Sequence, residues 1–157
     1  MLVSKAHPNI WLTTGGWLSV AAALLHIACI FGGGDYYRFF GAGEEIARAD
    51  EAGSWTPAIM TSGIALILGI WATYAFSGAG LIRRLPLIRT ALVIISAIYM
   101  LRGMFIFPIM IEPAMRSPFN IWSSLIVLGY GITYAIGTRV AWAQLSAQSP
   151  IQRERSV

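Results

Sequence analysis

Four long apolar stretches, separated by polar and glycine-rich blocks, organise this chain. They run from Ile10 to Phe31, Trp55 to Phe76, Leu87 to Phe107 and Phe119 to Trp142. About 20 helical residues rising 1.5 Å each cross a hydrocarbon layer of roughly 30 Å, so every stretch is long enough to span a membrane. Pro8, Pro57, Pro86 and Pro118 lie near the four starts, where a missing backbone N–H costs little. Thr56 and Ser117, placed before Pro57 and Pro118, are expected N-caps. Gly32-Gly33-Gly34, Ser77-Gly78 and Pro108 are expected to stop the helices. The pattern predicts an all-α integral membrane protein: a single transmembrane domain over residues 1–157, folded as an antiparallel four-helix bundle with short loops. A signal peptide fits the first stretch poorly, because the stretch exceeds a typical h-region and no small-x-small cleavage site follows. Leu25-His26-Ile27-Ala28-Cys29 is likewise a poor lipoprotein box.

Composition agrees with that class and adds an orientation. Hydrophobic residues make up 57% of the chain and charged ones 11%, far from the balance of a soluble domain. Of the 11 basic residues, Lys5, Arg83, Arg84, Arg89, Arg139, Arg153 and Arg155 fall on the side of the N-terminus, second loop and C-terminus. Arg38, Arg48 and Arg116 fall on the other side, and Arg102 lies inside the third stretch. The positive-inside rule therefore predicts that both termini are cytoplasmic. Six of the seven acids, Asp35, Glu44, Glu45, Asp50, Glu51 and Glu112, fall on the outer side, leaving only Glu154 inside. The net charge of +4 thus hides a cationic inner face and an anionic outer one. Such a distribution suits contact with anionic lipid headgroups. It does not suit nucleic acid, which requires a basic soluble face with stacking aromatics.

The first loop, residues 32–54, is the longest. Glu44 to Glu51 has helix-forming composition and an i,i+4 pair, Glu44 with Arg48, so a short amphipathic helix on the outer surface is expected. Helices gain no hydrophobic energy from associating in lipid, so small residues should mark the contact faces. Candidates are Gly15, Ser19, Ala22, Ala23 and His26 on the first helix, Ser62, Ala65, Gly69 and Ala72 on the second, and Gly129, Thr133 and Gly137 on the fourth. Trp11, Trp55, Trp122 and Trp142, with Tyr36 and Tyr37, are expected as interfacial anchors.

Arg102 is the chain's chief chemical anomaly. A guanidinium keeps its proton and must find water, a lipid phosphate or a protein partner. His26 is the one histidine inside a stretch, and like Arg102 it lies five residues from an outer end. Tyr99 is one helical turn from Arg102, and Thr61, Ser62, Asn120, Ser123 and Ser124 reach a similar depth. An outer-leaflet polar pocket is therefore expected, with His26, Arg102, Tyr99 and Ser62 as binding residues and Glu44 and Glu45 gating its mouth. The structural alternatives are that Arg102 snorkels to headgroups or pairs with Asp35, Glu44, Glu45 or Glu112, and that His26 merely bonds a neighbouring helix.

Other chemistries find little support. Cys29 is alone, which argues against a thiol-disulfide enzyme, and His7 is on the wrong side to join His26 in bis-histidine haem ligation. No metal-ligand spacing, phosphate loop or nucleophile motif is present, so no cofactor, metal or catalytic residue is expected. A proton-coupled exporter would be expected to place an acid within a span, and none of the seven acids is there.

Three segments carry a resemblance: Asp35-Tyr36-Tyr37-Arg38-Phe39-Phe40-Gly41-Ala42-Gly43-Glu44, Ser77-Gly78-Ala79-Gly80-Leu81-Ile82-Arg83-Arg84-Leu85-Pro86 and Ile98-Tyr99-Met100-Leu101-Arg102-Gly103. They resemble an uncharacterised family of small bacterial four-helix inner-membrane proteins. That resemblance implies the architecture and the compartment, but no activity. The leading expectation is a non-enzymatic accessory subunit, or a binder of lipid or another small molecule, partnered by membrane lipids and by itself or another membrane protein. The alternatives are an enzyme acting on a lipid or isoprenoid, with His26 as acid/base and Arg102 stabilising an anion, and an oligomeric transporter or channel subunit.

Overall fold

The structure is a computed structural model that describes residues 8–146; Lys5, His7, Arg153, Glu154 and Arg155 lie outside the described residues. The described chain is all-helical: α1 Ile10–Phe39, α2 Glu44–Glu51, α3 Thr56–Gly78, α4 Ile88–Gly103, α5 Ile106–Ile111, a 3-10 turn Pro113–Met115 and α6 Pro118–Ser146. Four helical segments are long and apolar enough to cross a membrane: Ile10–Phe39, Thr56–Gly78, Ile88–Ile111 and Pro118–Ser146.

Several boundaries differ from expectation for local reasons. The glycine triplet does not end α1. Gly33 breaks the helix at φ 64, ψ −153, and the chain then turns helically again to Phe39. A side chain at Gly34 would meet the Glu51 carboxylate at 2.8 Å, so the triplet both bends α1 and admits α2 against it. Pro108 lies inside α5, and the preceding helix stops earlier, at Gly103. Thr56 is the first residue of α3, not its cap; its N–H is received by Ser54 Oγ at 3.3 Å. Ser117 does cap α6, its Oγ accepting from Asn120 N at 3.0 Å. The expected helix at residues 44–51 is present.

α1 lies along α3 and α4 along α6, while α1 also meets α6 and α3 meets α4. Asn9 fixes one corner. Its Oδ1 accepts from Trp11 N and Leu12 N at 3.1 and 3.3 Å, its Nδ2 donates to Gly137 O at 2.7 Å, and its N–H donates to Ala79 O at 3.2 Å. One side chain thus caps α1 and ties it to α6, while the backbone ties it to the end of α3.

Glycines set the closest approaches, but only some of the expected ones. A methyl group at Gly137 would lie 2.7 Å from Leu12, and one at Gly15 would lie 2.9 Å from the Tyr134 ring. Gly69 and Gly129 have open space instead, and Ser62 is exposed, its neighbour Thr61 being the buried residue. Gly103 against Leu128 and Gly131 against Met100 are the tight contacts between α4 and α6. Between 17 and 33% of each potential span is buried, so most of its apolar surface faces outward. Exposed apolar surface of that extent marks a surface for contact with a membrane or another protein. Trp11, Trp55, Trp122, Trp142 and Tyr36 are exposed as anchors would be. Tyr37 is not: at 2% exposure it packs with Cys29 and Ala47 under α2.

Candidate functional site

Arg102 occupies the last turn of α4 and is exposed on the seam with α6. Its Nη1 donates to Ser124 Oγ at 3.1 Å and its Nη2 to Ser123 Oγ at 3.5 Å, with the Phe105 ring 5.9 Å away. The two hydroxyls orient the guanidinium without neutralising it. Of its five N–H donors, several remain for an anion.

Of the four acids expected as possible partners of Arg102, Asp35 and Glu44 meet Arg38 instead, together with Glu51. Arg38 Nε donates to Glu44 at 2.8 Å and Nη2 to Glu51 at 3.0 Å, with Asp35 at 3.5 Å, and Glu44 also receives Arg48 Nε at 2.8 Å. Arg38 is therefore the hub that fastens α2 to the last turn of α1. Its spacing from Asp35 and its position just before the acidic segment were visible in the sequence as a competing cation.

Hydrogen bonds from Arg38 and then Arg48 hold the Glu44 carboxyl down at about 2, and the bond from Arg38 lowers Glu51 as well. A depressed carboxyl contributes stability above its unfolded pKa, about 4.3, and loses that contribution as pH falls through its folded value. Accordingly α2 is expected to stay docked at pH 5 and to loosen between roughly pH 4 and 2. Hydrogen exchange of the α2 amides across that range checks this, with equal protection at both ends counting against the Arg38 hub.

The other candidates are dispersed. The half-buried His26 places Nδ1 2.7 Å from Ala22 O of its own helix. A carbonyl only accepts, so Nδ1 carries the proton and a neutral ring leaves Nε2 as acceptor. Glu45 and Ser62 are exposed, and Tyr99 is buried at 5% exposure. Among the described residues, no hydrogen bond, ion pair or ring contact joins any two of His26, Arg102, Tyr99, Glu44, Glu45 and Ser62. Arg102 is likewise unpaired with Glu112, whose carboxylate accepts from Ala114 N at 3.3 Å.

Tyr99 belongs to a different arrangement, one that takes a member from each long helix. Ser19 Oγ of α1 lies 3.0 Å from the Tyr99 hydroxyl of α4 and 2.8 Å from that of Tyr134 of α6. Tyr134 donates in turn to Trp71 O of α3 at 3.3 Å. Each hydroxyl has one proton, so the direction follows: Tyr99 donates to Ser19, Ser19 to Tyr134 and Tyr134 to Trp71. The rings of Trp71, Tyr130 and Tyr134 pack around Tyr99 at 4.9 to 5.5 Å between centroids. Ser19 and Tyr134 are 0% exposed, which makes this a closed structural centre and not an entry for substrate. The sequence marks Ser19 as a small contact residue and Tyr99 as a binding residue beside Arg102, not as partners of each other. Their meeting depends on tertiary packing. Compared with known proteins, the chain matches no family model, no curated protein and no solved structure.

Proposed function

We propose that this chain is an antiparallel four-helix inner-membrane protein with both termini cytoplasmic. In this reading it is a non-enzymatic accessory subunit or binder that holds an anionic lipid headgroup at Arg102, on the outer half of the α4–α6 seam. One observation carries the reading: Arg102 is exposed and, among the described residues, is hydrogen-bonded only to the uncharged hydroxyls of Ser123 and Ser124. Within a span, a permanent cation of this kind requires a counter-charge or water, and a phosphate fits a guanidinium fork. Three of the carboxylates that would compete for it, Asp35, Glu44 and Glu51, are held by Arg38, and Glu44 by Arg48 as well.

The binding reading is preferred to a lipid-modifying enzyme because His26 and Arg102 have separate engagements, one on its own helix and one on α6. Native mass spectrometry of protein released from nanodiscs containing phosphatidylglycerol tests it. Arg102→Gln is expected to lower the occupancy of one bound copy of that lipid about tenfold, equivalent to roughly 1.4 kcal/mol, and Arg102→Lys less. Unchanged retention in Arg102→Gln would reject the site.

A further inference from the structure

Along the same seam, from Met100, two residues before Arg102, towards Arg139 and Trp142, α4 and α6 leave an open groove of about 520 Å³. Its walls are mostly apolar, with Val93, Ala97 and Met100 on one side and Ala135 on the other; Ser96 and Thr138 add two hydroxyls, the first donating to Gly131 O at 3.3 Å, and Arg139 and Trp142 stand at one end. Arg89 lies over the Trp142 ring, its guanidinium carbon 4.0 Å from the centroid. Among the described residues neither Arg89 nor Arg139 has a hydrogen-bond or ion-pair partner, and Arg89 Nε is buried without one. Arg84, close by, differs in donating to Leu145 O and Gln144 O.

We infer that this groove receives one acyl chain of an anionic phospholipid whose phosphate meets Arg89 and Arg139. The proposal rests on the membrane-spanning reading above but not on the Arg102 site. Three features select this occupant. From the level of Arg89 to that of Met100 is about 16 Å at 1.5 Å per residue, close to the half of a roughly 30 Å hydrocarbon core that one leaflet contributes. The groove is mainly apolar along its length and cationic at one end, which is the polarity of a lipid and not of an apolar partner helix. Two guanidinium groups with no carboxylate partner among the described residues favour a net-anionic headgroup, because a zwitterionic one would bring its ammonium group towards them. Arg89, stacked on an amphipathic ring suited to the membrane boundary, is held in place before the phosphate arrives. By the charge distribution this end faces the cytoplasm, where anionic lipid attracts basic segments.

Delipidated full-length protein, offered equimolar phosphatidylglycerol and phosphatidylcholine and examined by native mass spectrometry, tests the proposal. The wild type is expected to retain phosphatidylglycerol over phosphatidylcholine by at least about tenfold. Arg139→Gln should remove one bound phosphatidylglycerol, and so should Ala135→Leu, which fills the groove from an exposed position without entering the core. Arg102→Gln should leave that lipid in place. Equal retention of the two lipids would overturn the site, as would lipid counts unchanged in both groove variants. A change in the dimer fraction of Ala135→Leu with no change in bound lipid would mean that a second copy occupies the groove, and would also overturn it. Loss of lipid in Arg102→Gln alone would sink this site and leave the outer one standing; loss in the groove variants alone would do the reverse.

Discussion

Gly103→Leu is expected to destabilise the protein more than any exposed substitution, by forcing α4 away from α6. Even a methyl group at this position would sit 2.5 Å from Leu128 Cα and 2.7 Å from its N and Cβ. Two of those atoms are backbone, so no rotamer change relieves the clash and the helices themselves must part. Two effects compete in the milder variant Gly103→Ala. Removing a helix glycine gains about 0.5–1 kcal/mol, whereas overpacking costs about 1–3 kcal/mol. The clash should win, and leucine should lie at or beyond the upper end of that cost. At about 2–4 °C per kcal/mol for a chain of this size, Gly103→Leu should lower the Tm in detergent by about 6–12 °C. Gly129→Ala is the control, since nothing lies within 4 Å of its added methyl. It should be neutral or slightly stabilising, and equal losses in the two glycine-to-alanine variants would remove steric contact as the cause.

Tyr134→Ala is expected to cost about 3–5 kcal/mol, the range for deleting a fully buried aromatic ring. The ring fills the space against Gly15 and Tyr99, and its hydroxyl joins Ser19 to the Trp71 carbonyl. Tyr134→Phe separates these contributions by keeping the ring and removing the hydroxyl. Interhelical hydrogen bonds in membranes average about 0.6 kcal/mol and reach about 1.7, so Tyr134→Phe should cost about 1–2 kcal/mol. Unfolding followed by circular dichroism in mixed micelles measures both. If Phe cost as much as Ala, the hydroxyl chain and not packing would dominate the centre.

The four potential spans were legible in the sequence because bilayer thickness sets a minimum apolar length that little else in a small protein imitates. The faces of those spans were not. A helix with lipid on one side and a packed neighbour on the other is apolar all round, so the contrast that marks the buried face of a soluble helix is weak. Ser62 was chosen over Thr61 for this reason, though α3 turns Thr61 inward and Ser62 outward. The acidic helix at residues 44–51 and its Glu44–Arg48 pair were readable from i,i+4 spacing, which is local. The pairing of its acids with Arg38 was missed because helical continuation past Gly33 carries Arg38 to them. The fourfold meeting at Ser19, Tyr99, Tyr134 and Trp71 joins residues up to 115 apart in sequence, and no local pattern announces it.

Four crossings that place the acidic loop outside and the arginine-rich loop inside are the claim on which both lipid sites depend. Single cysteines at Ala52, Leu81 and Ala114, all exposed, introduced into a Cys29→Ala background, test it through a membrane-impermeant maleimide applied to intact cells. Ala52→Cys and Ala114→Cys should label at once, and Leu81→Cys only after the membrane is permeabilised. Labelling of Leu81→Cys in intact cells, or of Ala52→Cys and Ala114→Cys from opposite sides, would contradict it.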